Sequence, residues 1–291
     1  MPSGLRTFEN AVAIITGGAS GIGRALAVEL AARGSEVVIA DIDGEDAETL
    51  AAELRAKGKR ATARRVDVTQ FSDVAALVDS TVARCGRVDY FFNNAGIGAG
   101  GEVADMPLDA WTCVIAVNVN GVVHGVHAVY PAMVKQGFGH IVNTASSGGL
   151  AAVPGLASYC ASKHAVVGLS KALRMEARCR GIRVSVLCPG VIRTPLLGGG
   201  RHGVLLPQAS EAAQRKTILE QFERLRPMDP AVFARKTVNQ IARDVAIIIV
   251  PGWWKILWWL ERLSPTLSMA MARSIFERDR AKVRASMGLS A

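Results

Sequence analysis

The sequence predicts an α/β protein with a doubly wound parallel sheet. Its short apolar runs lie at residues 11–15, 36–41, 62–68, 88–93, 139–146, 182–188 and 245–250. These runs alternate with helix-like stretches, as in a parallel sheet covered by helices. The chain has 291 residues, half of them apolar, and no glycine- or proline-rich linker divides it before residue 195. We therefore predict one domain of about seven strands over residues 1–250 and a C-terminal helical extension over residues 251–291.

The first strand-like run leads into a glycine-rich turn. The turn has the sequence TGGASGIG over residues 16–23, and a helix-like stretch follows over residues 24–33. Glycines let a backbone approach a pyrophosphate closely, and the N-terminus of a helix presents unpaired N–H groups to it. The order of strand, turn and helix therefore predicts a dinucleotide-binding loop.

A spaced triplet of Ser146, Tyr159 and Lys163 predicts acid/base chemistry. The residues around Tyr159 have helical periodicity up to about Arg180, so Lys163 lies one turn away on the same face. An unperturbed phenol has a pKa of about 10, and a nearby ammonium stabilises the phenolate. Ser146 ends a strand-like run, so Ser146 and Tyr159 can converge on one carbonyl oxygen.

Together these motifs resemble the short-chain dehydrogenase/reductase family, in its branch with TGxxxGxG and YxxxK. Further family landmarks follow in order, at Asp67-Val68, Asn93-Asn94-Ala95-Gly96, Asn118 and Pro189-Gly190 with Thr194. The resemblance covers residues 8–250, and six ordered motifs are far more specific than one. It implies a Rossmann-like fold that transfers a hydride between a nicotinamide and a carbon bearing a hydroxyl.

The resemblance also implies a role for each catalytic residue. Tyr159 would be the general acid/base, its pKa lowered by Lys163 and by the positive nicotinamide ring. Ser146 would orient the substrate oxygen, and Lys163 would also hold the nicotinamide ribose. Asn118 would hold a water that links Lys163 to solvent. No metal is expected in this scheme.

NAD is the expected cofactor. Asp41 ends the second strand-like run, where a carboxylate accepts hydrogen bonds from ribose hydroxyls and repels a 2′-phosphate. Ile42 and Ser20 occupy two positions where NADP-using relatives often carry a base. The alternative is that Asp41 only caps the following helix.

The resemblance implies further contacts around the nucleotide. One pair of residues borders the adenine, a second segment passes beneath the nucleotide, and a third holds the nicotinamide carboxamide. The whole cofactor-binding set comprises Gly17, Ser20, Gly21, Ile22, Gly23, Asp41, Asp67, Val68, Asn94, Ala95, Gly96, Tyr159, Lys163, Pro189, Gly190, Ile192 and Thr194.

The cysteines and histidines favour a structural interpretation. The five cysteines are scattered without a CxxC spacing, which indicates reduced thiols in a cytoplasmic protein. A small buried thiol is the preferred interpretation of Cys160. His124, His127 and His140 lack a clustered ligand set, so packing roles are expected for them. The N-terminus lacks the apolar stretch of a signal peptide, and secretion is not expected.

The substrate is expected to be a hydrophobic secondary alcohol or ketone, lipid- or steroid-like. Residues 195–227, with a helix-like part over residues 208–226, fall where family members carry a mobile substrate lid. The leucines in this segment suggest an apolar pocket. They are Leu196, Leu197, Leu205 and Leu206.

The C-terminal extension admits three interpretations. Residues 251–260 contain four of the five tryptophans, and residues 269–284 form a candidate basic amphipathic helix. The extension could cover the active site, lie in a membrane interface or pack against a partner subunit. The net charge of +9 also fits an anionic membrane surface. Nucleic-acid binding is not expected, because no recognition motif accompanies the charge.

The leading functional prediction is an NAD-dependent alcohol dehydrogenase or ketone reductase. A non-catalytic nucleotide-binding scaffold and a non-redox isomerase or lyase on the same fold are the alternatives. The intact set of Asn118, Ser146, Tyr159 and Lys163 speaks against the scaffold. Family resemblance further suggests a homodimer or homotetramer whose interface uses residues 108–136 and 157–180.

Overall fold

The computed structural model describes residues 4–198, 204–205 and 222–286. Its main sheet contains β1 (Val12–Thr16), β2 (Glu36–Asp41), β3 (Ala61–Arg65), β4 (Tyr90–Asn93), β6 (Gly139–Thr144), β7 (Ile182–Pro189) and β9 (Ile247–Val250). A separate short pair consists of β5 (Ala99–Gly100) and β8 (Val204–Leu205). The predicted fold class is confirmed, and the strand ends differ from the predicted ones by at most three residues.

Helices cover both faces of the sheet. They are α1 (Gly21–Ala32), α2 (Gly44–Ala56), α3 (Phe71–Cys85), α4 (Leu108–Ile115), α5 (Gly121–Gln136), α6 (Ala157–Ala177), α7 (Pro230–Ala242), α8 (Trp254–Leu263) and α9 (Pro265–Ser286). The helices α1, α2 and α7 share one core cluster with the sheet, and α3 and α5 share another. Burial on both faces explains why the strands are nearly continuous apolar runs.

The strand order places a crevice at the carboxyl edge of the sheet. All neighbouring strands are parallel, in the order β3-β2-β1-β4-β6-β7-β9. The chain therefore reverses its direction of travel across the sheet after β3, between β1 and β4. In open parallel sheets, ligands bind outside the carboxyl ends of the strands at such a reversal.

The stretch Leu108–Gln136 is the most apolar helical region in the described part of the chain. Its mean hydropathy of 1.4 makes it apolar enough to cross a membrane by length and composition alone. Here α4 passes through a π-helical turn, Ala116–Asn120, into α5. Val129 and Met133 of α5 are buried in a core cluster with the sheet, and 33% of the most apolar 18-residue window is buried.

A buried carboxylate joins the N-terminal segment to the sheet. Asp89 is fully buried and accepts hydrogen bonds from the backbone N–H groups of Val12 and Arg6, at 2.9 and 3.2 Å. It also pairs with the guanidinium of Arg87, which donates to the Gly4 carbonyl at 2.5 Å. Asp89 therefore satisfies several buried donors from two parts of the chain.

The C-terminal extension folds against the sheet domain. Trp254 and Trp258 of α8 pack on a core cluster that includes Ala145 and Ile249. Trp254 lies so close to Gly190 that a β-carbon added there would sit 2.1 Å from the indole nitrogen. The predicted extension is therefore helical and closely packed.

The second helix of the extension reaches two loops near the predicted catalytic residues. Phe276 of α9 would contact a β-carbon on Gly155 at 3.6 Å, and Arg280 forms an ion pair with Glu102 at 2.8 Å. The predicted helix over residues 269–284 lies inside α9.

Candidate active site

The glycine loop follows the carboxyl end of β1 and packs closely against neighbouring backbone. Gly17 and Gly21 have φ of +61° and +51°, a region that favours glycine. A β-carbon on Gly17 would lie 2.7 Å from Ala95 Cα, and one on Gly23 would lie 1.9 Å from the Gly17 carbonyl oxygen. The Ser20 side chain does not cap α1 within the described chain, so the first-turn amides of α1 face the loop uncapped.

Thr16 fixes the second segment of the predicted nucleotide site. Its hydroxyl accepts hydrogen bonds from the N–H groups of Asn94 and Ala95, at 3.0 and 3.2 Å, and donates to the Phe92 carbonyl. The Asn94 amide donates back to the carbonyls of Thr16 and Gly17, both at 3.1 Å. The sequence prediction did not assign Thr16 a role, although it begins the glycine motif.

Asp41 supports the glycine loop directly. Its carboxylate accepts the N–H of Ala19 at 2.9 Å and the N–H of Asp43 at 3.2 Å. The helix α2 has Asp43, not Asp41, at its N-cap position. Arg65 of β3 stands in register beside Asp41 and is exposed. The structure therefore places both a negative and a positive side chain at the end of β2, and sequence reasoning missed the second.

Ser146 and Tyr159 lie near each other at the carboxyl edge of the sheet. Ser146 follows β6, and its Oγ accepts the N–H of Gly148 at 3.1 Å at the start of a short helical turn. Tyr159 lies in the first turn of α6, and a β-carbon added to Gly148 would lie 3.6 Å from both Ser146 Oγ and the edge of the Tyr159 ring. Two hydroxyl groups thus converge on one point at the end of β6.

Lys163 lies beneath this pair and is almost fully buried. Its ammonium donates to the Thr144 carbonyl at 3.0 Å and lies 5.6 Å from the centre of the Tyr159 ring. A β-carbon on Gly96, which is exposed, would lie 3.3 Å from Lys163 Nζ, so the ammonium lies against the backbone of the loop after β4. Burial lowers the pKa of Lys163 to about 8.

The balance of effects on Tyr159 differs from the prediction. Desolvation raises the pKa of the Tyr159 phenol, and the hydrogen bond from Ser146 opposes that rise. In the protein alone the pKa of the phenol is raised, and the Lys163 ammonium donates to the Thr144 carbonyl. Burial is therefore the largest influence on the pKa of Tyr159 in the protein alone.

The lowered pKa of Lys163 predicts a pH-dependent stability. Between the folded pKa of about 8 and the ordinary value of 10.5, the unfolded chain holds a proton that the folded chain has lost. The free energy of unfolding should therefore rise with pH in this window, by roughly 3 kcal/mol in total. Urea unfolding of the wild type and Lys163→Met, without nucleotide, isolates this contribution as the change in their stability difference between neutral and high pH. A difference that is independent of pH would contradict the burial of the ammonium.

Asn118 has its side chain committed to the fold. The fully buried amide donates to the Ile97 carbonyl at 3.0 Å and to Ser162 Oγ at 3.1 Å, and its oxygen accepts the Ile97 N–H at 2.9 Å. Ser162 in turn donates to the Tyr159 carbonyl at 2.7 Å. Asn118 thus ties the loop after β4 to α6. The water predicted to bind Asn118 would find only the second lone pair of its oxygen on this side chain.

Three further residues predicted to bind the cofactor make different contacts with their neighbours. The Asp67 carboxylate is bound by the N–H and hydroxyl of Thr69, at 2.9 and 2.7 Å. The Val68 carbonyl accepts from His124 at 2.8 Å. Thr194 lies next to Gly21, whose added β-carbon would meet it at 3.3 Å.

The residues predicted to hold the nicotinamide follow one another at the end of β7 and differ in their surroundings. Pro189 ends β7, and Gly190 donates its N–H to the Val250 carbonyl at 2.9 Å. The Ile192 side chain is buried in a core cluster, so only its backbone is available for the predicted contact. Ile22 packs against that cluster as well.

His140 and Cys160 have surroundings that suit packing. His140 is fully buried, forms a hydrogen bond with Ser185 at 2.9 Å, and has its pKa lowered by burial to about 3. Burial raises the pKa of the Cys160 thiol, which disfavours the reactive thiolate. Among the described residues, no group of three or more His, Cys, Asp or Glu side chains suits a metal ion.

Much of the predicted lid lies outside the described residues. This applies to residues 199–203 and 206–221, including Leu206 and most of the predicted helix over residues 208–226. In the described part, Leu196 lies near Gly98, where an added β-carbon would meet it at 3.6 Å. The backbone of Val204–Leu205 pairs with Ala99–Gly100.

Comparison with known proteins agrees with this geometry. A family model described as short chain dehydrogenase matches residues 11–203. A cyclohexanol dehydrogenase from Acinetobacter sp. (strain SE19) is 40% identical over 191 residues, which cover 65% of this chain and 76% of the relative.

Solved structures extend the likeness to most of the chain. A short chain dehydrogenase/reductase from Burkholderia phymatum in complex with NAD is 34% identical, with a TM-score of 0.83 over 90% of this chain and 96% of that one. A 3-ketoacyl-(acyl-carrier-protein) reductase from Brucella melitensis complexed with NADH is 30% identical, with a TM-score of 0.71 over 84% and 97%. The chain therefore belongs to the short-chain dehydrogenase/reductase family of oxidoreductases.

Proposed function

We propose that this protein is an NAD-dependent dehydrogenase or ketone reductase for hydrophobic secondary alcohols and ketones, with Tyr159 as the general acid/base. The observation that carries the proposal is the close approach of Ser146 and Tyr159 beside Gly148, with the buried Lys163 Nζ 5.6 Å from the centre of the Tyr159 ring. A nicotinamide cofactor and an alcohol or ketone are the reactants that this set suits. The Burkholderia phymatum relative was solved with NAD, which supports the cofactor assignment.

The residues at the carboxyl edge fit a dinucleotide. Gly17 and Gly23 leave no room for side chains, so the loop backbone is the surface presented to a ligand. The uncapped first turn of α1 suits a pyrophosphate, because its N–H groups and dipole favour negative charge. Asp41 stands where it can accept hydrogen bonds from the adenosine ribose while it holds the Ala19 N–H.

The catalytic residues have different roles around one substrate oxygen. Ser146 accepts the Gly148 N–H, so its own hydrogen remains available to a phenolate or to a substrate oxygen. Tyr159 exchanges a proton with that oxygen, as acid in ketone reduction and as base in alcohol oxidation. When bound, NAD supplies the hydride acceptor and the positive charge of its ring.

The two directions differ in their demand on Tyr159. The raised pKa of the phenol keeps it protonated near neutral pH, which suits proton donation to a ketone. Alcohol oxidation requires the phenolate and should accelerate as the pH rises. The Lys163 ammonium, whose pKa of about 8 lies near neutral, can return the proton, since its Nζ lies next to the exposed Gly96. Lys163 is also the residue we assign to the nicotinamide ribose.

Apolar side chains lie on the segment that precedes Tyr159 and beside residues 98–100. Leu156 lies one turn before Tyr159 and next to Gly100, and Val153 and Leu196 keep more than a third of their surfaces exposed. Phe276 of α9 lies beside Gly155 in the loop that follows Ser146. These residues favour an apolar substrate at the mouth of the site. The Acinetobacter relative, named for cyclohexanol, supports a secondary alcohol.

A spectrophotometric assay tests the proposal. Purified protein, NAD and a panel of secondary alcohols from short-chain to steroid-sized should form NADH at a rate that grows with substrate hydrophobicity. NAD binding without net NADH formation across the panel, in either direction, would contradict the proposal. It would favour the scaffold or the isomerase and lyase alternatives.

Asp41→Asn is predicted to weaken the preference for NAD over NADP about tenfold or more. The amide oxygen can still accept the Ala19 N–H, so the loop is retained while the negative charge is lost. Arg65 is in register beside residue 41. Once the carboxylate charge is lost, the Arg65 guanidinium can attract the 2′-phosphate of NADP without opposition. Titration of both cofactors, with the exposed Glu45→Ala as control, measures the ratio of dissociation constants. An unchanged ratio in Asp41→Asn would refute this role.

A further inference from the structure

We propose that the outer face of α8 binds the surface of an anionic lipid bilayer. This face is defined by Trp253, which precedes α8, and by Ile256, Trp259 and Leu263. Their side chains are 51%, 74%, 52% and 79% exposed. Large apolar side chains concentrated on one exposed surface mark a contact site, whereas single exposed ones are ordinary.

The helix has two distinct sides. Trp254 and Trp258 lie on the inner side, packed on the core cluster around Ile249. Glu261, the acidic residue of α8, has a carboxylate oxygen buried within the described structure. The outer residues recur at intervals of three and four positions, as expected for one stripe of a helix. Packing of the inner side therefore leaves the apolar outer face directed away from the domain.

Positive charge borders the outer face. Lys255 and Arg262 are exposed and stand seven residues apart, two helical turns along the same side of α8. Arg262 also lies 5.3 Å from the centre of the Trp258 ring. An apolar stripe with tryptophans and a basic border is the pattern of a helix that lies in a membrane interface.

The following helix, α9, carries an exposed apolar stripe of its own. Leu267, Met271 and Ile275 are about half exposed and follow one another at intervals of four residues, with exposed Arg278 on the same side of the helix. The chain as a whole carries a net charge of +9. Long-range attraction and local apolar insertion thus favour the same anionic surface.

The charges favour a bilayer over a second copy of the chain. A two-fold interface on this face would bring two identical basic borders together, and like charges repel. Anionic headgroups would instead neutralise Lys255 and Arg262 while the acyl boundary receives the indole rings. This inference does not depend on the reaction proposed above.

Flotation of the full chain with lipid vesicles tests the inference. At low salt the protein should float with vesicles of phosphatidylglycerol and phosphatidylcholine, and it should bind vesicles of phosphatidylcholine alone more weakly. Ile256→Glu should reduce binding about tenfold or more, because it places a charge in the apolar stripe. The double variant Lys255→Glu, Arg262→Glu should reduce binding to anionic vesicles about fivefold for each side chain lost, since each contributes to the electrostatic attraction.

Val28→Glu supplies the matched control, because Val28 is an exposed apolar residue on α1. It should bind like the wild type. Leu263→Glu gives a second test on the same face if Ile256→Glu lowers the thermal midpoint. The inference is overturned if the wild type fails to float at low salt, or if Ile256→Glu and Leu263→Glu bind like Val28→Glu. It is also overturned if these variants separate an oligomer in light scattering while the wild type does not bind lipid.

Discussion

Replacement of Tyr159 by Phe is expected to reduce turnover by about 10²–10⁴-fold, the usual contribution of a general acid/base. The phenol oxygen is the group that meets Ser146 at the carboxyl edge of the sheet. Phenylalanine keeps the ring beside Lys163 and removes only the hydroxyl group whose proton is exchanged. Steady-state rates of NADH formation and consumption measure the effect in both directions.

The same variant should bind NAD with nearly the affinity of the wild type. The glycine loop, Thr16 and Asp41 are held by contacts that do not involve the phenol. Fluorescence titration of NAD therefore separates a catalytic role from a structural one. Turnover near the wild-type rate would refute the assignment of Tyr159, and loss of NAD binding would show that the substitution disturbs the site.

Asp89→Ala is expected to lower the free energy of unfolding by about 3–5 kcal/mol, the usual cost of removing one partner of a buried ion pair. The substitution leaves the guanidinium of Arg87 and the N–H groups of Arg6 and Val12 without their carboxylate. Because Asp89 is fully buried, water cannot readily replace it. Urea unfolding of the two proteins measures the difference.

The exposed pair of Arg24 and Glu53 provides a matched comparison. Its atoms lie 2.7 Å apart, yet both side chains retain over two fifths of their surface. Glu53→Ala should cost at most about 1 kcal/mol, because water screens the pair and replaces its hydrogen bonds. Equal losses in the two variants would contradict the importance assigned to burial at Asp89.

The sheet and the catalytic triplet could be predicted because their signals are local. The strand Val12–Thr16 is apolar up to Ile15 because both faces of the sheet are covered, and Ile247–Val250 follows the same rule. The spacing of Tyr159 and Lys163 fixes them on one helix. The convergence with Ser146 then follows from the parallel strand order.

Contacts made at long sequence separation could not be predicted in this way. No local pattern shows that Lys163 donates to the Thr144 carbonyl or that Asn118 is tied to Ile97. The burial that raises the pKa of Tyr159 has no local signal either, because desolvation depends on the atoms that surround the ring. The position of Arg65 beside Asp41 requires the register of β2 and β3.

The contact between Gly190 and Trp254 links the end of β7 to the extension. A residue larger than glycine at position 190 would displace the indole, since even a β-carbon would overlap it. The two positions are therefore expected to vary together among proteins that share this architecture. A relative with a side chain at position 190 should lack the tryptophan, and an extension transplanted onto such a relative should fail to dock. Docking of the extension therefore depends on glycine at position 190, so the extension and the sheet domain are expected to evolve together.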